Sequence, residues 1–161
     1  MKINSLRLQQ HFEAKSLKKK IGETGTCRPA HTELEKQGFE IAASWMQEAG
    51  MKTRIDNFGN LIGRLEGKNP NLPCLMMGSH LDSQPYGGRF DGVAGVLCAI
   101  EVVTTLTENG IQPERPIEVI SFADEEGWRF NKGLFGSRGI LGKLEEGELQ
   151  RTDKDGITRE Q

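Results

Sequence analysis

Two short apolar runs separated by one long apolar helix constrain the fold of this sequence more than any other feature. Residues 73–79 and 116–123 each have the length of one strand, and their compact apolar character is typical of strands buried on both faces. Residues 91–109 between them carry apolar side chains around most of a helix, which Asn109-Gly110 closes. Strand, helix and strand with short connections form a βαβ unit. The pattern therefore predicts an α/β fold with a mostly parallel sheet, flanking helices and a right-handed crossover.

The rest of the chain predicts further helices and a hairpin around this unit. Thr32 begins a helix as part of a capping box with Glu35, because each side chain can accept a hydrogen bond from an N–H at the helix start. Gly50 ends that helix. The other predicted elements are a surface helix over residues 4–21, a loop over 22–29, hairpin strands over 51–57 and 60–66, a Gly-rich loop that follows residue 79 and runs through 87–88, and a helix start over 136–144.

Composition limits the classes of partner. With 161 residues, 35% hydrophobic and 27% charged, the chain has the make-up of one soluble globular domain. A net charge of −2 argues against nucleic acid or an anionic membrane as the main partner. No stretch approaches the ~20 apolar residues of a membrane span. The three cysteines form no CxxC pair, which argues against a disulfide framework and favours a reducing, cytoplasmic location.

One histidine and five carboxylates lie where the predicted strands end. His80 and Asp82 follow the first strand, Asp91 starts the helix, and residues 124–126 (DEE) follow the second strand. In open parallel sheets, ligands bind at the carboxyl ends of the strands. Several carboxylates in one partly dry cleft repel each other, so we expect a cation to hold them. A set of histidine and carboxylate ligands suits divalent zinc, manganese or cobalt.

Each of these residues also has a plainer interpretation. Asp91 can serve only as the N-cap of its helix, and Glu125 with Glu126 can form a solvated strand end. His80 can be a lone polar residue hydrogen-bonded in a loop, and Asp82 can be a turn former. Their joint placement at one sheet edge favours a metal site over these separate explanations.

Four motifs in a fixed order give the sequence a specific resemblance to a known family. The chain resembles the M20 metallopeptidase-like amidohydrolases, and within them the branch of N-carbamoyl-L-amino acid hydrolases, β-ureidopropionases and allantoate amidohydrolases. The resemblance runs from about the second helix to the C-terminus. The motifs are residues 78–85 (GSHLDSQP), 87–93 (GGRFDGV), 122–127 (FADEEG) and 136–138 (GSR).

The resemblance implies a role for each residue of the acidic set. His80 corresponds to a ligand of one metal ion and Glu126 to a ligand of the second. Asp91 corresponds to the carboxylate that bridges both ions. Glu125 corresponds to the general base, and Asp82 to the carboxylate that orients the His80 imidazole.

The same resemblance implies a reaction and a set of partners. The expected enzyme is a hydrolase of linear amide or ureido C–N bonds that uses two divalent ions (zinc, manganese or cobalt). The resemblance at residues 80–85 (HLDSQP) favours N-carbamoyl-L-amino acids over allantoate as substrates. Gln84 in this segment is a candidate for substrate contact. The expected partner is a small-molecule substrate. The full-length family is expected to form homodimers through an inserted smaller domain.

The sequence departs from the family pattern in one large way. The family uses further histidine ligands and an inserted domain downstream, whereas His11 and His31 here precede the sheet and match no family ligand. Residues 1–161 are therefore expected to be the N-terminal part of the metal-dependent catalytic domain, truncated before the dimerisation domain and inactive alone. Residues 155–161 are interpreted as the lead-in to a further helix.

Three explanations of such a chain stay open: a truncated gene product, an isolated fragment, or one half of a split enzyme with a downstream fragment as partner. The alternative function is a non-catalytic remnant. A nucleotide-binding βαβ protein is disfavoured, because the turn after the first strand lacks GxGxxG and places acids where phosphates would lie.

Overall fold

The computed structural model of the protein describes residues 1–15, 17, 20–21 and 25–160. Residues 16, 18, 19, 22–24 and 161, which include parts of the predicted first helix and the predicted 22–29 loop, lie outside this description. The elements are α1 (Ser5–Phe12), β1 (Lys20–Ile21), β2 (Gly25–Arg28), α2 (Glu33–Glu48), β3 (Lys52–Ile55), β4 (Leu61–Leu65), β5 (Leu75–His80), β6 (Ser83–Gly87), α3 (Val93–Glu108), β7 (Ile117–Phe122) and α4 (Phe135–Ile140).

The larger sheet contains the predicted βαβ unit. Strands β5 and β7 pair in parallel, with Leu75 opposite Ile117 and His80 opposite Phe122, and α3 connects them. The prediction of two adjacent parallel strands is therefore confirmed, and so is the α/β class. The sheet order is β3-β4-β7-β5, and its other two pairings are antiparallel. The sheet is thus mixed rather than mostly parallel, because the predicted hairpin β3-β4 joins the parallel pair through β4.

The core lies between this sheet and the helices α2 and α3. Val96, Leu97 and Ile100 of α3 are fully buried, as is Val119 of β7. Met46 contributes the α2 side of the same cluster. Burial of one such side chain contributes about 1.5–3 kcal/mol relative to an exposed position. This packing fixes the strand ends on which the acidic residues lie.

Strand β5 is more exposed than its apolar sequence predicts. It lies at the end of the sheet order, and Leu75 and Met76 are 50% and 42% exposed. The prediction of burial on both faces is wrong for β5 among the described residues, because no described strand pairs with its outer edge. The same prediction is confirmed for β7, whose residues Ile117–Ser121 are buried.

Several predicted boundaries before α3 are wrong. The helix predicted over residues 4–21 ends at Phe12, and the predicted 22–29 loop contains strand β2. Strand β2 pairs with β1 and with β6 in a second, three-stranded antiparallel sheet. Strand β6 lies at residues 83–87, within the segment predicted as a Gly-rich loop. These strands are short and pair across a long sequence separation, so local patterning does not reveal them.

The helix ends follow local sequence more closely. Thr32 caps α2 by accepting from the backbone N–H of Glu35, and the Glu35 carboxylate accepts from the N–H of His31 at 2.6 Å. Helix α4 starts at Phe135 and ends at Ile140, short of the predicted Leu144. Residues 152–158 form a turn closed by an antiparallel bridge between Thr152 and Thr158, and the interpretation of residues 155–161 as a helix lead-in stays a prediction. Among the described residues, no helix has the length and apolar character needed to cross a membrane.

Candidate active site

His80 is the centre of the acidic set. It is the last residue of β5, and its side chain is only 7% exposed. Its Nδ1 lies 3.0 Å from the backbone oxygen of Asp82, which can only accept, so Nδ1 carries a proton. Its Nε2 lies 3.3 Å from a carboxylate oxygen of Glu125 and 3.7 Å from one of Asp91. The ring therefore offers one nitrogen to the structural turn and the other to two acids from different elements.

Asp82 connects the turn after β5 to the loop after β7, which contains residues 124–126. Its buried carboxylate accepts from the backbone N–H of Glu125 at 3.3 Å and from that of Glu126 at 3.1 Å. The same carboxylate lies 3.4 Å from Nδ1 of His80. Asp82 thus contacts the ring nitrogen that faces away from Asp91 and Glu125. This placement is what an imidazole-orienting carboxylate requires, although the role itself stays a prediction.

Asp91 faces His80 and does not cap α3. The N-cap of α3 is Gly92, which makes no side-chain capping bond. Gly92 has φ +64°, and a Cβ there would lie 2.5 Å from Cε1 of His80, so only glycine lets the helix start this close to the ring. The Asp91 side chain is 58% exposed, which leaves it open to a ligand from solvent. The plain capping interpretation of Asp91 is therefore excluded.

Glu126 carries an uncompensated oxygen. Its Oε1 is buried and has no hydrogen-bond partner among the described residues. Burial raises the pKa of Glu126, and the neighbouring carboxylates of Asp91, Asp82 and Glu125 raise it further, against the opposing effect of His80. A buried carboxylate oxygen without a partner, beside other acids, is the environment that a bound cation would relieve.

The neighbouring carboxylates also change the pKa of His80. Burial disfavours its charged form, but the hydrogen bond and charge of Asp82 and the charge of Glu125 outweigh it and raise the pKa of His80 to about 9. The carboxylates thus attract positive charge to Nε2, which a proton or a metal ion can supply.

The donor set has the right chemistry for a metal ion but not a complete shell. Imidazole nitrogen and carboxylate oxygen are the donors that zinc, manganese and cobalt accept. Within the part of the chain that the structure describes, no three His, Cys, Asp or Glu side chains surround one point as a bound ion requires. The arrangement brings donors together in pairs, such as His80 with Asp91. The residues therefore fit a metal ion as part of its ligand shell.

The one predicted substrate contact lies just beyond this set. Gln84 is exposed on β6, two residues after Asp82. Its role in binding substrate stays a prediction.

Comparison with known proteins places the chain in a family. The family model described as Peptidase family M28 matches residues 60–154. The N-carbamoyl-L-amino-acid amidohydrolase of Pseudomonas sp. (strain NS671) is 45% identical over 157 residues, which are 98% of this chain and 38% of that protein. The crystal structure of a hydantoinase/carbamoylase family amidase from Burkholderia ambifaria matches with a TM-score of 0.91 at 39% identity, over 97% of this chain and 38% of that one. The chain belongs to peptidase family M28.

Similarity within and around this family extends to proteins with other names. An allantoate deiminase of Arabidopsis thaliana is 36% identical over 149 residues, covering 86% of this chain and 28% of that protein. The chain spans about 38% of the length of the N-carbamoyl-L-amino-acid amidohydrolase from Pseudomonas.

Three polar residues that hold this site in place were missed by sequence reasoning. Arg28 is fully buried on β2, donates from Nε to the backbone oxygen of Leu81, and donates from Nη1 to Leu17 O at 3.1 Å. The bond to Leu81 therefore supports the turn between His80 and Asp82. A single arginine in a predicted loop normally indicates a solvated side chain, so the sequence contains no signal for this role.

Asn60 is the second missed residue. It is fully buried, and its Oδ1 accepts from the backbone N–H of Ala123 at 2.9 Å while its Nδ2 donates to Asp56 and to the backbone oxygen of Gly136. It thus joins the β3-β4 turn to the end of β7 and to α4. The sequence indicated only that Asn60 lies at the start of the second predicted hairpin strand. The third missed residue, Arg159, lies behind the acidic loop.

Proposed function

We propose that this chain forms part of the active site of a divalent-metal-dependent hydrolase of linear amide or ureido C–N bonds, with N-carbamoyl-L-amino acids as the substrate class. The observation that carries the proposal is the convergence of His80, Asp91 and Glu125 at the ends of β5 and β7. The uncompensated oxygen of Glu126 supports it.

Two pairs of side chains would hold the ions. His80 and Asp91 would serve one ion, and Asp91 and Glu126 the other, with Asp91 shared. When bound, zinc, manganese or cobalt supplies an activated water and polarises the substrate carbonyl. Two protein ligands per ion are fewer than the three that catalytic zinc normally has. We therefore expect weak metal binding and no measurable turnover by the 161-residue chain alone.

The chain's own residues divide the remaining work. Glu125 is partly exposed beside Nε2 of His80, a position from which a carboxylate can accept a proton from the attacking water and return it to the leaving nitrogen. Asp82 and its backbone partners hold His80 so that Nε2, rather than Nδ1, faces the reacting groups. Arg28 supports the same turn from the core.

The substrate class rests on similarity to the N-carbamoyl-L-amino-acid amidohydrolase from Pseudomonas. Allantoate is the second candidate, because the similarity to a plant allantoate deiminase is also extensive. The M20-type assignment drawn from the four motifs belongs to this proposal, beside the M28 description of the matching family model. The proposal also includes a cytoplasmic location, supported by the absence of any CxxC pair, and homodimers in the full-length family.

The test measures metal content and turnover together. The chain is dialysed against zinc, manganese or cobalt and assayed with an N-carbamoyl-L-amino acid and with allantoate. Each assay is run on the chain alone and on the chain mixed with a polypeptide that supplies the remaining part of the Pseudomonas relative.

Metal-dependent hydrolysis of the N-carbamoyl-L-amino acid in the mixture supports the proposal. Faster hydrolysis of allantoate would move the substrate assignment to the second candidate. A metal-loaded mixture that hydrolyses neither compound would overturn the enzymatic function and favour a non-catalytic chain.

A further inference from the structure

A buried arginine, Arg159, contacts the acidic loop that follows β7 (residues 124–126). The side chain of Arg159 is 1% exposed, although the residue lies near the end of the described chain. Arg159 directly follows the bridge between Thr152 and Thr158, and its backbone N–H donates to the backbone oxygen of Arg151 at 3.0 Å. Burying a guanidinium is costly unless carboxylates pair with it. The partners of Arg159 therefore indicate its role.

Arg159 connects the acidic loop to two other segments. Its Nη2 donates to a carboxylate oxygen of Asp124 and, at 3.0 Å, to the backbone oxygen of Lys132. Its Nη1 donates to Glu148 at 3.0 Å. The guanidinium also lies 4.3 Å from the ring centroid of Phe135 at the start of α4. The link to Asp124 reaches the residue immediately before the proposed base.

Asp124 has an uncommon backbone conformation. Its φ is +47°, which non-glycine residues adopt rarely and at some cost. This conformation sends the Asp124 side chain back toward Arg159, while the next two backbone N–H groups, of Glu125 and Glu126, face Asp82. The loop is therefore held from two sides, by Asp82 at the site and by Arg159 in the core.

We propose that Arg159 is a positioning residue for Glu125 and Glu126, acting through the carboxylate of Asp124. The inference rests on the proposed function, since it assigns the direction of these two side chains to a contact outside the site. Without Arg159, the buried Asp124 carboxylate would lose its cation, and turning it toward solvent would rotate the loop that follows it.

The test compares Arg159→Met with Asp124→Asn and with Glu148→Gln. The first removes the cation but keeps much of the side-chain volume. The second removes the charge of its partner, and asparagine tolerates the positive φ at this position. The third is the matched control, because it weakens the other ion pair of Arg159 and leaves the link to Asp124 intact. Arg159→Lys tests rescue by a conservative change.

Two measurements are made on the 161-residue chain. Amide NMR spectra recorded without metal report the positions of Glu125 and Glu126. A titration with Mn²⁺ alone reports metal affinity through the broadening of the His80 ring resonances.

We expect Arg159→Met and Asp124→Asn to shift the same amides, and to weaken Mn²⁺ binding by about tenfold. Arg159→Lys should recover part of both effects, and Glu148→Gln should leave both readouts unchanged. A chain that carries Arg159→Met and Asp124→Asn together should be no worse than either single variant. Unshifted Glu125 and Glu126 amides in folded Arg159→Met would overturn the inference. Because the amide spectra need neither metal nor substrate, they decide this point even where the wild-type chain binds Mn²⁺ too weakly to measure, whereas the proposed function is decided by turnover of the mixed polypeptides.

Discussion

Buried charge is concentrated around the ends of β5 and β7. Asp82 and His80 lie at the site itself. The buried Arg28 contacts the turn after β5, and the buried Arg159 contacts the loop after β7. Each arginine donates to a backbone carbonyl as well as facing carboxylates, so the loops are fixed by directional bonds and not by charge alone. This arrangement leaves Glu125 and Asp91 as the partly exposed acids that face Nε2 of His80.

The division of roles among the acids predicts different outcomes for two substitutions. Glu125→Gln should keep bound metal but reduce turnover of the complemented enzyme by about 10²–10⁴-fold, because it removes the base and leaves the ligands. Asp91→Ala should lose metal as well, since both ions share that carboxylate. Metal content and initial rates on an N-carbamoyl-L-amino acid measure both effects. Equal metal loss in the two variants would contradict the assignment.

Glu35 predicts a pH dependence of stability. Burial raises the pKa of this carboxyl from 4.5 to about 8. Between these two values the folded chain binds a proton that the unfolded chain has released. The stabilising contribution of the neutral carboxyl is therefore greatest below pH 4.5 and is lost as the pH rises to about 8.

The check is urea unfolding of wild type and Glu35→Gln at several pH values between 5 and 8. The variant should lack a downward slope that, in wild type, can reach about 1.4 kcal/mol per pH unit. Glu33→Gln is the matched control, because Glu33 lies in the same helical turn and its side chain is 66% exposed. A slope in Glu35→Gln as steep as in wild type would show that another group is responsible.

At the level of elements, the start of α3 decides how closely the helix approaches His80. The end of β5 and the start of α3 meet at Gly92, where the backbone has a positive φ and lies against the imidazole. The helix is held there by its apolar face, which packs on the sheet through Val96 and Ile100. Packing far from the site thus sets a distance within it.

Gly92→Ala should therefore perturb the site beyond its cost to the backbone. Gly110→Ala is the matched control, because Gly110 has φ +65° but a Cβ there would meet nothing within 4 Å. Both variants should lose about 1–2 kcal/mol of unfolding free energy from the left-handed backbone conformation. Only Gly92→Ala should also displace the His80 ring resonances and weaken Mn²⁺ binding. Identical His80 spectra in the two variants would argue against the close approach.

At the level of the whole molecule, the fold places the acids at the carboxyl end of β5, whereas the start of the same strand stays exposed. Leu75 and Met76 present apolar surface next to a strand edge that no described strand covers. Open strand edges with apolar side chains promote association between chains.

The purified chain is therefore predicted to self-associate through β5. Leu75→Lys should reduce the self-association measured by sedimentation velocity, because a lysine on an edge strand disfavours pairing with another chain. Val102→Lys, at an exposed apolar position on α3, is the control for added charge alone. If both variants remain as associated as wild type, the contact lies elsewhere.

Local sequence was sufficient for the elements whose signals are local. The apolar runs and the helix between them predicted the parallel pair β5 and β7, and Thr32 with Gly50 marked the ends of α2. The same reasoning predicted the hairpin of β3 and β4. It also identified the acids at the strand ends, because their order along the chain follows directly from the βαβ connection. Their roles in metal binding and proton transfer stay predictions.

The tertiary structure decided what depends on residues distant in sequence. Strand β2 exists because β6 pairs with it, and Arg28 is buried only because that pairing carries it under the turn after His80. Arg159 contacts Asp124 across 35 residues, directly after a bridged turn that local sequence did not predict. The exposure of β5 likewise depends on which strands lie beside it. Periodicity and capping describe the neighbours of a residue along the chain, whereas these properties follow from neighbours that only the folded chain brings together.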